Sequence, residues 1–221
     1  MTELPVVAQL HLVIGTLAVV GGFLAMLLPK GKTLHKFAGK IFFYSMLGLC
    51  FSGVYLTFAR SLQFTFFLAI FSLYLLLTGW YAVARRSNKV NFIDKLGFYV
   101  ISTIGITTLI LSVLGWSLNW YYPISEPSYP SYLIFVVSSA FIAYWDYQML
   151  TAKVLIGTKR LVRHLWRMYF ALFIATTIFF GGNSHVLPEE LRTELILTAP
   201  IVTVLLFMFG WLLYFRYFKK T

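Results

Sequence analysis

Charge is what this sequence has least of. Of its 221 residues 11% are charged and 60% hydrophobic, with seven acidic side chains in all. An average soluble domain is about a quarter charged, so a soluble fold of this length is excluded. Cysteine is scarcer still. Cys50 stands alone inside an apolar run, which excludes an intrachain disulfide. There is no Gly-rich phosphate loop and no dinucleotide fingerprint, hence no visible nucleotide site. Linkers and low-complexity tracts are missing too. The opening MTELPVV lacks a basic n-region, and the run behind it is long enough to span a membrane, so it reads as a first span rather than a signal peptide. The net charge of +11 does not point to nucleic acid, because the basic residues lie between apolar runs.

What is present is a set of seven apolar runs, each able to cross a hydrocarbon core that needs about 20 residues. The expected spans are 5–28, 34–59, 63–84, 95–118, 131–152, 160–182 and 195–217. This predicts an all-α integral membrane bundle of seven helices, a single transmembrane domain over 1–221, with antiparallel neighbours because every connection is short. The loops after spans one, three and five and the C-terminus hold 16 of the 18 basic residues. By the positive-inside rule the N-terminus is then outside and the C-terminus cytoplasmic. The expected location is a bacterial cytoplasmic (inner) membrane.

Small residues line two of these runs. Span one carries His11, Gly15, Ala18, Gly22 and Ala25 on one helical face, a smooth groove that another helix or a flat cofactor can approach closely. Span two again begins with His followed four residues later by Gly, at His35 and Gly39. Span four has Ser102, Gly105, Thr108, Ser112 and Gly115 at helical spacing, which fits a close-packing seam better than a pore lining. The outer loop NWYYPISEPSYPSY suits an interfacial aromatic belt, with a substrate lip as the alternative. Pro200 falls in the first turns of span seven, where a missing N–H costs little.

The four histidines sort into two layers. His11 lies near the outer end of span one and His185 just past the outer end of span six, in a helix or a loop, while His35 and His164 open spans two and six on the inner side. His164 and His185 are 21 residues apart, about 31 Å on a continuous helix and roughly one bilayer core. A pair of neutral imidazoles at a membrane face is what bis-histidine haem requires. All four are candidate cofactor ligands, and the inner pair is also a candidate metal pair. Lys36, Lys40, Arg163 and Arg167 offer cations to haem propionates on the inner side. Asp146, about fifteen residues into span five, is expensive at that depth. It reads as an ion-pair partner of Arg163, Arg167 or Lys153, as a proton acceptor, or as the group that orients His35 or His164. Trp145 and Trp166 read as walls of an inner site or as members of the inner aromatic belt.

Known seven-helix chemistries are narrowed by what is missing. No lysine for a retinal Schiff base lies between Leu195 and Phe215. No membrane face gathers the three histidines and an acid of a zinc hydrolase. The stretches HLVIG, Gly21–Gly22, LHKFAGK and RHLWRMYFALFIA resemble a bacterial family of multipass membrane proteins of unknown function. Its pattern is H-x3-G, then L-H-x3-G-[RK], then a helix opening with H-x2-W. The matching positions are His11, Gly15, Gly22, His35, Gly39, Lys40 and His164; Trp166 follows His164 one residue closer than that pattern has it. Arg167 stands where that family has Met, and Tyr169 near its Arg. The resemblance implies that His11, His35 and His164 form a functional set, without naming a reaction. The layout also resembles di-haem transmembrane cytochromes b.

The expected function is therefore binding of haem b or a metal, in the service of transmembrane electron transfer. Its partners would be the lipid bilayer, a redox protein or quinone, and further copies or a larger membrane complex, but no nucleic acid. The alternatives are a proton- or substrate-coupled transporter using Asp146 and the inner histidines, and an accessory subunit of a membrane complex.

Overall fold

The computed structural model describes residues 6–118, 127–182, 184 and 187–218. Seven helices among them are long and apolar enough to cross a bilayer. They are α1 (Val6–Leu27), α2 (Thr33–Arg60), α3 (Gln63–Ala84), α4 (Phe92–Ser117), α5 (Leu133–Ala152), α6 (Gly157–Thr177) and α7 (Glu194–Tyr217). The chain is an all-α integral membrane protein. Large apolar side chains left outside, such as Phe58 at 73% and Leu195 at 74% exposure, face lipid rather than water in such a protein.

Local chemistry sets the helix ends. Asn91 caps α4: its side chain accepts from the Ile93 and Asp94 backbone N–H groups, and Asp94 accepts in return from the Asn91 N–H. This capping box satisfies otherwise orphaned donors and starts α4 three residues earlier than the apolar run suggests. Gly157, at φ 52°, opens α6 from a left-handed conformation that costs glycine nothing. The π-helical turn Ile178–Gly182 continues α6. Pro200 is the seventh residue of α7, in its second turn. Its missing N–H therefore leaves the Ile196 carbonyl without its usual intrahelical donor. His185 and most of the aromatic loop, residues 119–126, lie outside the described residues.

The helices belong to two compact units. One comprises Gly53–Tyr74 and Ala84–Ile156. Within it α4 packs against α5 along the small-residue face of α4. A Cβ at Gly105 would stand 2.9 Å from the Ser139 Cβ, and one at Gly115 would lie 2.4 Å from the Tyr129 ring. The Thr108 hydroxyl is spent on its own helix, donating to Ile104 O at 2.7 Å. The face is thus a packing seam, as its spacing predicts. Phe64, Phe67, Phe71, Tyr132 and Phe135 fill the core, with the Phe64 and Phe135 ring centroids 5.0 Å apart. Two short backbone bonds, Val90 N–H to Lys153 O and Leu155 N–H to Asn88 O, clip the α3–α4 connection to the α5–α6 connection.

The other unit comprises α1, α2 as far as Ser52, Leu75–Val83 of α3, α6 and α7. Its core is built by close approach. A Cβ at Gly21 would meet the Phe42 backbone N at 2.9 Å, and one at Gly22 would meet Leu172 Cδ1 at 2.4 Å. Gly15 has the same role, with Leu49 Cδ1 at 3.3 Å from its would-be Cβ. The groove on α1 is therefore filled by α2 and α6 side chains.

Candidate functional site

The ends of α1 and α3 supply the anchors of the site. The last carbonyls of an α-helix have no intrahelical donor. Pro29 follows α1, and the turn reverses through Gly31 at φ 78°, so Lys30 folds back. Its ammonium donates to Ala25 O at 2.9 Å and Met26 O at 2.5 Å. At α3, Arg160 does the same, with Nε on Ala82 O at 2.8 Å and Nη2 on Val83 O at 3.0 Å. Cations at these termini also meet the negative end of each helix dipole.

Against these two helix ends sit the inner histidines. His35 Nδ1 lies 2.9 Å from Ala25 O, and His164 Nδ1 lies 2.9 Å from Gly79 O. A carbonyl oxygen only accepts, so each Nδ1 carries the proton and each Nε2 keeps its lone pair. Gly79 makes the second contact feasible. A Cβ there would stand 3.0 Å from the Arg167 Cβ and 3.4 Å from Met168 Sδ, so α6 approaches α3 here because glycine leaves room. Both histidines are half-buried, and both line one cavity of about 720 Å³. That is within the usual range of ligand pockets, roughly 300–1,000 Å³. Gly22, Ala25, Gly31 and Gly39 form smooth stretches of its wall. Phe42, Trp80, Leu172 and Trp211 supply flat apolar surface, and Lys30, Lys36 and Lys40 supply positive charge.

The cavity is therefore apolar in the middle, basic at the lysines, and furnished with two imidazoles in the tautomer that coordinates metal through Nε2. Nδ1–H bonded to a backbone carbonyl is the support that ligating histidines usually have, fixing the ring and raising the basicity of the other nitrogen. No group of three or more His, Cys, Asp or Glu that suits a metal ion occurs among the described residues. Two imidazoles suffice for an iron whose equatorial positions are filled by a porphyrin.

The other candidates are placed elsewhere. His11 bonds through Nδ1 to Ser52 Oγ at 2.8 Å, and that hydroxyl gives its own proton to Gly48 O at 2.7 Å. It is fourteen residues from Ala25 on the same helix, about 21 Å along the axis, so it belongs to a different layer from the inner pair. Gly15 is a packing residue, whereas Gly39 lines the cavity with open space beside its Cα. Arg163, Trp166 and Arg167 are buried in α6 but do not line the cavity; the Arg167 guanidinium lies over the Trp166 ring at 5.1 Å. The walls expected of Trp145 and Trp166 are provided instead by Trp80 and Trp211. Trp145 is 42% exposed, as a belt residue would be.

Asp146 is fully buried and accepts a hydrogen bond from the Tyr74 hydroxyl at 2.6 Å. The Nδ1 atoms of His35 and His164 are held by backbone carbonyls. Among the lining residues that the sequence does not single out as site residues are Lys30, Trp80, Tyr169 and Trp211. Lys30 had a visible signal, a cation just past the end of a span and next to a proline. The aromatics had none, since they sit in runs that are apolar all round. Comparison with family models, curated proteins and solved structures finds no match for the chain.

Proposed function

We propose that this membrane protein binds haem b in the cavity of His35 and His164 and serves electron transfer across the membrane. The observation that carries the reading is the pair of Nδ1-anchored imidazoles on one largely apolar cavity. Bound there, the haem supplies a one-electron couple. The chain's own part is to fix both ring planes through Ala25 O and Gly79 O. It also excludes water with Phe42, Trp80, Leu172 and Trp211, and neutralises propionate charge with lysine. Ligand identity, burial and hydrogen bonding are the levers that set the potential of such a site. We take the lysine-bearing end as cytoplasmic, in a bacterial inner membrane, because the basic loops cluster there. A quinone or a redox protein at that face is the expected partner.

The purified full-length protein, produced with ample haem, should show a Soret band, and on reduction the split α and β bands of a six-coordinate bis-imidazole iron. A protein that stays colourless and takes up no added haem removes the proposal. Gly79→Val tests the anchoring. A larger residue pushes α6 off α3 and lengthens the His164–Gly79 hydrogen bond. Loss of an orienting partner typically weakens binding about 10–100-fold, so haem affinity should fall by that order in a spectrophotometric titration.

Proton-coupled transport is a second reading, favoured by the fully buried Asp146 with the Tyr74 hydroxyl at 2.6 Å. A carboxyl at that depth in a span marks proton or ion pathways in many transporters. Under it, proton flux in proteoliposomes vanishes in Asp146→Asn; equal flux in variant and parent rules it out.

A further inference from the structure

We infer that Lys30 and Tyr169 form a carboxylate-binding end of the cavity, and that this end takes a propionate of the haem. The inference rests on the proposed function and adds which residues hold the acid group. Lys30 is held in place by its two bonds to the α1 carbonyls and by the faces of Tyr169 and Trp211, whose ring centroids lie 5.6 and 5.7 Å from Nζ. An ammonium has three N–H donors, and two are used. Neither of its two acceptors bears a charge. Burial holds the Lys30 pKa down at about 8; a carboxylate alongside would reverse that by favouring the charged form.

Tyr169 lines the same cavity and is 6% exposed, and its hydroxyl is buried with no hydrogen-bond partner. A buried donor left unsatisfied is costly, and such groups are uncommon in folded proteins. A cation and a hydroxyl on one cavity each have a donor to spare, and the cation favours an anionic acceptor. A carboxylate offers about four lone-pair sites to them. Of the four propionate partners suggested by the sequence, Lys36 and Lys40 line the cavity, whereas Arg163 and Arg167 are buried in α6 and do not. Lys30 joins the two lysines because the turn at Gly31 folds it back over α1.

The test is a titration of ferric protoporphyrin IX and of its dimethyl ester into the detergent-solubilised, haem-free full-length protein, followed at the Soret band. The ester keeps the iron and the ring but carries no anion. Hydrogen bonds to charged groups are the strong ones, so the diacid should bind about tenfold or more tighter than the ester. Lys30→Met and Tyr169→Phe should each weaken the diacid several-fold and leave the ester within about twofold. Lys30→Arg should keep most of the preference. Equal affinity of the parent protein for diacid and ester overturns the subsite while the haem reading stands. Uptake of neither porphyrin overturns both. Because the parent comparison needs no substitution, a variant that fails to fold does not blunt the test.

Discussion

Replacing His164 with alanine is expected to abolish the six-coordinate spectrum altogether. The side chain is one of two imidazoles on the cavity, and its Nδ1 proton is taken by Gly79 O, which leaves the Nε2 lone pair for a metal. Removing it takes away a ligand, which costs more than the 10–100-fold typical of losing a partner that merely orients one. The split reduced bands should collapse to those of a five-coordinate iron, or the haem should be lost during purification. The truncation also leaves space of imidazole size beside Gly79. Millimolar imidazole in the buffer should therefore restore the bis-imidazole spectrum, an effect that general unfolding would not permit. His35→Ala should behave alike, whereas His11→Ala should leave this spectrum unchanged, because His11 is bonded to Ser52 in another layer. A parental spectrum in both His35→Ala and His164→Ala would show that the haem, if bound, sits elsewhere.

The largest stability effect is expected at Asp94, which the sequence reading passed over. Its carboxylate receives Arg85 Nη1 at 3.1 Å and Nη2 at 2.8 Å, with both side chains almost fully buried. The same carboxylate closes the capping box of α4, and Arg85 also donates to the Ser87 and Lys89 carbonyls. One pair thus ties the end of α3 to the start of α4 within a single unit. Removing one partner of a buried pair leaves the other charged and uncompensated, which costs about 3–5 kcal/mol. Asp94→Asn should lower the unfolding midpoint in detergent accordingly. Pairing Asp94→Leu with Arg85→Met should lose less than Asp94→Asn alone, since two apolar groups of similar size leave no stranded charge. A double variant as unstable as the single one would show that the α4 cap, not the ion pair, carries the effect.

The seven spans were legible from the chain alone because length and apolarity are local properties. The hydrocarbon thickness converts them into helices whatever their neighbours do. The same holds for the packing seam on α4, where small residues recur at helical spacing and the structure finds Ser139 and Tyr129 pressed against them. The separate heights of His11 and of His35 and His164 could be read too, since a histidine near a span end has a height set by counting residues. What counting does not provide is rotation about the helix axis. A run that is apolar on every side gives no sign of which face meets protein and which meets lipid. Trp166 therefore reads as either wall or belt, while the wall is made by Trp80 and Trp211, and α7 contributes nothing to the expected site although Trp211, Tyr214 and Phe215 line the cavity.

Sequence by itself thus determined the class of the protein, its helices and the residue types able to carry chemistry, because each follows from the solvent around a short segment. The tertiary structure alone decided that His35 and His164 share a cavity, that their protons go to Ala25 O and Gly79 O rather than to Asp146, and that Lys30 turns back over α1. Those facts depend on a carbonyl left over at the end of α1 and on Gly79, inside α3, which lets α6 come close. Every residue has a carbonyl, so no side-chain pattern reveals which one a ring will come to rest beside.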